Sequence, residues 1–227
     1  MIFKDRADAG RALAAELAPL VSPPCVVAAV PRGGLTVALP IVERLRAPLT
    51  VVYARKLTSR LAPELAFGAL DEDGQAIIDE STVAMLGLGP RDIEEAKRKT
   101  AAEIRRRMAL YRVPPLGHYL PGSTVVLVDD GLATGLTMRA ALAYARRHGA
   151  ARIIVAVPCA SAQAAEQFSR DADLFVSLTV DEEFVAVGEY YVDFSPVSDE
   201  QVVAMLERAR ELTTPPSASG HISASAR

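Results

Sequence analysis

The feature of this sequence that most constrains its fold is a repeated alternation of short apolar, β-branched runs with helical patterns. The runs do not alternate between polar and apolar residues, which is typical of strands covered on both faces of a sheet. Strand, helix and strand in this order favour a parallel sheet with right-handed crossovers. The sequence therefore predicts an α/β domain with a central, mostly parallel sheet flanked by helices. The predicted strands are 25–30, 49–54, 123–128, 152–157 and 173–178, and the helical patterns are 35–45, 136–149 and 161–170.

Two segments break this alternation. Residues 66–78 predict a β-hairpin around the turn pair Asp73-Gly74, and they follow a loop at 56–65. Residues 91–112 predict a long charged helix. Because its basic side chains are interleaved with glutamates, we interpret the polar face as solvated rather than as a nucleic-acid-binding patch. The apolar face of this helix is formed by Ile93, Ile104, Met108 and Tyr111.

Length, charge and hydropathy narrow the class of protein. The chain has 227 residues, half of them hydrophobic, which is enough for a substantial core. Its net charge of -3 gives no overall positive electrostatic potential that would attract nucleic acid or an anionic membrane. No apolar run approaches the roughly 20 residues that a membrane span needs, and the N-terminus lacks the apolar core of a signal peptide. We therefore expect a cytoplasmic protein without a nucleic-acid or membrane partner. Residues 213–227 are mainly serine, alanine and proline, which predicts a disordered tail.

The stretch VVLVDDGLATGLTM, residues 125–138, carries the candidate chemistry. Asp129 and Asp130 end an apolar strand, and ligands of open α/β sheets collect beyond the carboxyl ends of the strands. Two adjacent carboxylates repel each other, so they favour a site in which hydroxyl donors, a metal or cations satisfy them. An ordinary strand-to-helix turn with a solvated acid pair is the alternative.

The loop after the acid pair is typical of an anion-binding nest. Gly131, Ala133 and Gly135 are small enough to let backbone N–H groups point inward, and Thr134 and Thr137 add hydroxyl donors at a helix start. Acids that accept ribose hydroxyls, beside a nest that binds a phosphate on the same sugar, indicate a ligand with a ribose 5-phosphate group.

This stretch resembles the phosphoribosyl pyrophosphate (PRPP) signature of type I phosphoribosyltransferases. The segments PRGG (31–34), PELAFGA (63–69) and AVGEYYVDF (186–194) are similar to those of a bacterial subgroup of that family. The resemblance covers most of residues 1–212 and implies one phosphoribosyltransferase domain over that range. It also implies the type I fold, with a small hood at about 180–197 joined by N-terminal residues, and a flexible lid at about 56–66.

The resemblance further implies roles for individual residues. Asp129 and Asp130 are the catalytic acids, and Asp193 is an indirect metal contact. The groups implied to bind the ribose and phosphate of PRPP are Asp129, Asp130, Gly131, Leu132, Ala133, Thr134, Gly135, Leu136 and Thr137. The implied pyrophosphate contacts are Arg32, Gly33, Gly34, Arg55 and Lys56, and the implied base contacts are Phe184 and Val185.

Simpler structural interpretations of some of these residues stay open. A guanidinium offers paired donors to a diphosphate and two glycines allow close backbone approach, but Gly33-Gly34 is also compatible with a mere tight turn into a helix. Arg55 and Lys56 are also compatible with solvated cations at a strand end. For Phe184 the alternative is a core aromatic.

By this resemblance, the reaction is displacement at the anomeric carbon of PRPP with bound Mg²⁺. The phosphoribosyl group passes to a nitrogen nucleophile, expected to be a nucleobase, and pyrophosphate leaves, which implies a role in nucleotide metabolism. Ala133 stands where members acting on hypoxanthine or guanine carry an acid, so the acceptor and the general base are open. Glu64, Glu182 and Glu183 are candidates for the missing base.

Other functions remain as alternatives. A PRPP- or nucleotide-sensing regulator would use the same fold without turnover, although no added helix-turn-helix or basic run supports it. A phosphoryl-accepting receiver or a phosphatase also uses an acid pair, but a receiver carries its pair at the first strand. A dinucleotide-binding site is disfavoured because no G-x-G-x-x-G opens the first crossover. The oligomeric state is open, with a homodimer as one option.

Overall fold

The computed structural model describes residues 1–60 and 62–213, so the predicted tail from 214 onward lies outside the described residues. Within that range the strands are β1 (Cys25–Ala29), β2 (Leu49–Val51), β3 (Arg55–Thr58), β4 (Ala66–Leu70), β5 (Ala76–Ile78), β6 (Thr124–Val128), β7 (Arg152–Ser161) and β8 (Leu174–Asp181). The helices are α1 (Arg6–Leu17), α2 (Gly33–Leu45), α3 (Glu80–Met85), α4 (Pro90–Tyr111), α5 (Leu136–Arg147), α6 (Ala162–Asp171) and α7 (Asp199–Thr213). Short 3-10 turns occur at Leu116–His118 and Val187–Tyr190.

A five-stranded sheet with the order β2-β1-β6-β7-β8 forms the centre of the fold, and all of its strand pairs are parallel. Residues 26–29 and 125–128 are fully buried, because helices cover both faces of these strands. Helices α1, α2 and α7 pack on one face, and α5 and α6 pack on the other. The predicted parallel α/β sheet flanked by helices is therefore confirmed.

A second, three-stranded antiparallel sheet is formed by β3, β4 and β5. The hairpin predicted at 66–78 is confirmed, and Gly74 in its turn has a φ of 79°, which favours glycine. The strand predicted at 49–54 is too long, because β2 ends at Val51. Val52 still donates its N–H to the Ala29 carbonyl of β1 at 2.9 Å, and residues 53–54 then lead to the second sheet while they stay buried. The segment proposed as a lid, residues 56–66, includes most of β3 and the connection from β3 to β4.

The strand predicted at 152–157 is too short, since β7 continues to Ser161 alongside β8. Helices α2, α4, α5 and α6 agree with the predicted helices to within two residues at each end. Helices α1, α3 and α7 were not predicted. In α1 much of the buried face is alanine and glycine, so its sequence has weak contrast between buried and exposed positions. Among the described residues, no helix combines the length and apolar character needed to cross a membrane.

The order of the strands creates one crevice at the carboxyl edge of the central sheet. Strands β1 and β6 are neighbours, yet the chain continues from β1 to β2 on one side and from β6 to β7 on the other. The connections after these two strands therefore diverge, and such a switch point is where open α/β sheets bind ligands. The residues that follow β1 and β6 are the PRGG segment and the acid pair.

Candidate active site

The acid pair lies directly after β6 and is joined to the N-terminal helix. Asp130 donates its backbone N–H to Asp129 Oδ1 at 2.8 Å, and Arg6 Nε donates to Asp130 Oδ2 at 2.7 Å. Burial and the neighbouring Asp130 raise the pKa of Asp129 well above its usual value, while the charge of Lys56 acts in the opposite direction. The two carboxyl groups are thus close to each other and one of them is paired with Arg6, rather than each being solvated separately.

Arg6 is a site residue that the sequence did not predict. Its side chain is only 10% exposed, and besides Asp130 it donates from Nη1 to the carbonyl of Ser195 at 2.9 Å. Its guanidinium carbon also lies 3.8 Å from the centre of the Phe194 ring. Arg6 and Asp130 are separated by 124 positions in the chain, so no local pattern indicates that they meet.

The loop after the acid pair is anchored to the core by two of its predicted phosphate contacts. Leu132 and Leu136 are buried, and Leu132 exchanges backbone hydrogen bonds of 2.9 Å with Cys159 and Ser161 of β7. Their side chains face the core, so only their backbone groups are able to meet a ligand. Gly135 has a φ of 66°, and a Cβ there would lie 2.5 Å from the Phe168 ring, so this position requires glycine.

The rest of this loop leaves hydrogen-bond donors free. Ala133 and Thr134 are exposed, and none of the described residues accepts a hydrogen bond from the backbone N–H groups of Ala133, Thr134 or Gly135. The first N–H groups of α5 also lack acceptors within the helix, as at every helix start. The predicted anion nest thus has the free donors and the helix N-terminus that phosphate binding requires.

The PRGG segment packs against the acid pair from β1. Arg32 lies at the N-cap of α2 and is exposed, and the Pro31–Arg32 peptide bond is cis. A Cβ on Gly33 would overlap the Asp130 carboxylate and lie 2.8 Å from Arg6 Nε, and one on Gly34 would lie 2.9 Å from the Val128 carbonyl oxygen. These glycines therefore do more than form a tight turn into α2. Because they lack side chains, the backbone of this segment is able to approach the end of β6.

Arg55 and Lys56 do not act as a pair, because consecutive side chains of a strand point to opposite faces. Lys56 is exposed and its charge acts on Asp129. Arg55 is directed to α4, where its Nη1 lies 3.8 Å from Glu103 Oε1. The structure therefore separates the two cations: Arg55 faces α4, whereas Lys56 lies on the opposite face of β3 and its charge acts to lower the pKa of Asp129.

The segment predicted as a hood follows β8 and is joined by the N-terminus. Phe3 donates its N–H to the Tyr190 carbonyl at 2.8 Å, and Val192 donates to the Phe3 carbonyl at 2.9 Å. Tyr191 Oη donates to the Asp130 carbonyl at 2.6 Å, which fixes this segment to the acid pair. Gly131 lies beneath it, since a Cβ there would be 2.7 Å from the Val187 side chain.

The two predicted base contacts differ in their surroundings. Phe184 is partly buried and stacks on Tyr190 with ring centres 5.1 Å apart, so one ring face is used by the protein itself. Val185 is 74% exposed. The candidate bases Glu64, Glu182 and Glu183 are also exposed. Their roles stay predictions, since the structure brings none of these carboxylates into contact with the acid pair.

Asp193 is exposed, and hydrogen bonds from Ser195 lower its pKa. Among residues 1–60 and 62–213 there is no group of three or more histidine, cysteine or acidic side chains arranged to hold a metal. Asp193 as an indirect metal contact therefore stays a prediction.

Comparison with known proteins agrees with this geometry. Residues 4–195 match the family described as the phosphoribosyl transferase domain. Two Mycobacterium tuberculosis relatives, from strains CDC 1551 and H37Rv and each named "Putative phosphoribosyl transferase", are 41% identical over 208 residues, which is 92% of this chain and 47% of theirs. The chain thus spans about half the length of these relatives. The crystal structure of a Thermus thermophilus protein is 40% identical, covers 92% of this chain and 99% of its own, and has a TM-score of 0.75.

Proposed function

This chain belongs to the phosphoribosyl transferase domain family, and we propose that it transfers the 5-phosphoribosyl group of PRPP to a nitrogen nucleophile, releasing pyrophosphate. The observation that carries the proposal is the convergence of three elements at one switch point: the acid pair after β6, the donor loop before α5 and the PRGG segment after β1. Each element suits one part of PRPP, namely the ribose hydroxyls, the 5-phosphate and the diphosphate.

The proposed roles follow from the chemistry of each group. Carboxylates accept hydrogen bonds from ribose hydroxyls, so Asp129 and Asp130 orient the sugar. The N–H groups of Ala133, Thr134 and Gly135, with the Thr134 and Thr137 hydroxyls, bind the 5-phosphate at the start of α5. The backbone at Gly33 and Gly34 approaches the diphosphate, and Arg32 and Lys56 supply positive charge next to it.

In the proposed reaction the bond between the anomeric carbon and the diphosphate oxygen breaks, and a bond from the acceptor nitrogen to that carbon forms. The nitrogen gives up its proton to a base or to water, and the electron pair of the broken bond leaves with pyrophosphate. The chain's main contributions are orientation of the two reactants and stabilisation of the negative charge that develops on the leaving group. Bound Mg²⁺ would supply further positive charge to the diphosphate oxygens, with Asp193 as an indirect, water-mediated contact.

The proposed acceptor is a nucleobase that binds between the donor loop and the hood. Phe184 has one ring face covered by Tyr190, and its other face is proposed to stack on the base, while Val185 offers backbone groups. Ala133 provides no carboxylate, and its carbonyl accepts a hydrogen bond from Ser161 Oγ at 2.8 Å. A proton acceptor from this loop is thus missing, which favours acceptors with an acidic nitrogen.

The decisive experiment is incubation with PRPP, Mg²⁺ and a panel of nucleobases while pyrophosphate release is followed. Release that depends on an acceptor supports the proposal. Tight PRPP binding without release for any acceptor would instead support a PRPP-sensing regulator, and absence of PRPP binding would contradict both.

A further inference from the structure

A small cavity lies between the second sheet and α5, and none of its lining residues belongs to the candidate active site. Its polar lining residues are Tyr53 from the connection between β2 and β3, Asp71 and Glu72 from the turn of the β4–β5 hairpin, and Tyr144 from α5. The rest of the lining is apolar. The volume is about 10 Å³, which leaves room for about one particle of the size of a water molecule.

Two of these side chains have buried oxygens without partners. Both carboxylate oxygens of Glu72 and the hydroxyl oxygen of Tyr53 are buried, and none of them forms a hydrogen bond with the described residues. Tyr53 as a whole is only 4% exposed. Burial raises the pKa of Glu72, and the nearby Tyr144 hydroxyl counteracts this in part without reaching the geometry of a normal hydrogen bond. Buried polar groups in folded proteins are nearly always satisfied, so these oxygens require a further partner.

Asp71, the other acid of the cavity, differs from Glu72 because both of its oxygens are occupied. Its Oδ1 accepts two backbone N–H groups of the hairpin turn at 2.9 and 3.0 Å, and its Oδ2 is paired with Arg147. Asp73 Oδ2 lies 2.8 Å from His148 Nε2 and 3.6 Å from Arg147. Three consecutive acids thus have Arg147 as their one permanently charged partner among the described residues. The carboxylate of Glu72 is the one that is left without a cation.

The charge and the size of the cavity together indicate what occupies it. A water molecule would fill the space but would leave the negative charge of Glu72 buried and unbalanced. A proton on Glu72 would remove the charge, but it would add a second hydroxyl donor beside Tyr53 and leave the space unfilled. A cation without its hydration shell balances the charge and fills the space. Carboxylate and hydroxyl oxygens are suitable ligands for cations of the alkali and alkaline-earth type.

The small volume excludes divalent ions. Mg²⁺ usually keeps several of its waters in proteins, and Ca²⁺ takes about six to eight oxygen ligands. A cavity of about 10 Å³ has no room for coordinated waters. Among the described residues there is also no group of three or more acidic, histidine or cysteine side chains arranged to hold a metal. A single carboxylate with two phenolic oxygens instead suits an ion of one positive charge.

We propose that this cavity binds one dehydrated monovalent cation, Na⁺ or K⁺, through the carboxylate of Glu72 and the hydroxyl oxygens of Tyr53 and Tyr144. The cation joins three segments: the hairpin turn, the chain that leads into β3, and the helix α5 that begins at the donor loop. It therefore fastens the second sheet to the central domain. This site is separate from the proposed phosphoribosyl transfer and does not depend on it.

The test is urea unfolding of the wild-type protein, followed by circular dichroism at pH 7 with a chelator of divalent ions present. The protein is unfolded in NaCl, KCl or choline chloride at equal ionic strength, because choline is too large to enter the cavity. We expect a higher midpoint in NaCl or KCl than in choline chloride. As the effective cation replaces choline, each tenfold increase in its concentration should raise the midpoint by up to about 0.7 M urea. Equal midpoints in the three salts would overturn the inference.

Glu72→Gln is the decisive variant, since it keeps the shape of the side chain and removes its charge. Its midpoint should be the same in all three salts. Asp73→Asn is the matched control: it removes one charge from the same turn, but Asp73 is exposed and does not line the cavity, so the cation dependence should remain. Loss of the dependence in both variants would indicate unspecific attraction of cations to the acidic turn, and its persistence in Glu72→Gln would place the ion elsewhere. Either result contradicts the proposed site.

Tyr53→Phe is the second variant if Glu72→Gln does not fold. It removes one ligand oxygen and keeps the aromatic ring that packs on Tyr111, with ring centres 6.4 Å apart. We expect a smaller difference between the midpoints in NaCl or KCl and in choline chloride than in wild type. An unaltered difference would refute the part of Tyr53 in the site and, with it, the inference.

Discussion

Replacing Arg6 with methionine tests whether the ion pair between α1 and the acid pair stabilises the fold. Methionine keeps much of the apolar stem but leaves Asp130 without its cation. The Arg6 and Asp130 side chains are 10% and 17% exposed, so the interaction is screened only in part by water. The variant also loses the hydrogen bond of 2.9 Å to the Ser195 carbonyl and the contact with the Phe194 ring.

Breaking a buried ion pair by removing one partner costs about 3–5 kcal/mol, and the residual exposure of this pair favours the lower end of that range. With a urea dependence of about 2 kcal/mol per M, a loss of about 3 kcal/mol lowers the unfolding midpoint by about 1.5 M urea. The measurement is urea unfolding followed by circular dichroism at pH 7. Arg11→Met is the control, because Arg11 lies on the same helix in an exposed pair with Asp8 and should shift stability by less than about 0.5 kcal/mol.

A double-mutant cycle separates the ion pair from the other contacts of Arg6. Asp130→Asn removes the carboxylate, so in its presence the Arg6→Met change should cost about 1–3 kcal/mol less than it does alone. Equal costs in both backgrounds would mean that the ion pair is not what Arg6 contributes. A midpoint for Arg6→Met indistinguishable from that of Arg11→Met would refute the reasoning altogether.

Three further predictions concern the acid pair and the donor loop. Thr134→Ala should leave the melting temperature unchanged and weaken PRPP binding about 10- to 150-fold, since a hydrogen bond to a charged group is lost; unchanged affinity in calorimetry would remove Thr134 from the phosphate site. Because the folded-state pKa of Asp129 is raised above the ordinary 3.8, the stability that its carboxyl contributes is full below pH 3.8 and is lost as the pH rises through the raised value. Asp129→Asn should therefore gain stability relative to wild type as the pH rises, and a difference in urea midpoint that does not vary with pH would contradict this. Ala133→Asp should raise pyrophosphate release with hypoxanthine or guanine by up to about 10²- to 10⁴-fold if a loop base is what the chain lacks, whereas unaltered rates with every acceptor would place the base elsewhere.

The central sheet, and the meeting of the acid pair with the PRGG segment at one edge of it, could be predicted from the amino-acid sequence. Apolar runs without alternation identify strands covered on both faces. Because this pattern depends only on residues that are neighbours in the chain, it can be recognised before the fold is known. The rule that ligands collect beyond the carboxyl ends of parallel strands then brings the acid pair and the PRGG segment to one edge, as the structure has them. The hairpin at Gly74 was predictable for the same reason, since a turn is local chemistry.

Which side chains face that site could not be predicted in this way. Arg6 reaches Asp130 across 124 positions, and Leu132 and Leu136 turn into the core while Ala133 and Thr134 between them stay exposed. Arg55 and Lys56 are adjacent in the chain but point to opposite faces of β3, and Arg107 is shielded on a helix whose charge pattern indicates solvation. Periodicity and composition depend only on residues that are near one another in the chain. An ion pair or a shared ligand site depends on which distant segments meet, and the packing of the folded chain determines those meetings.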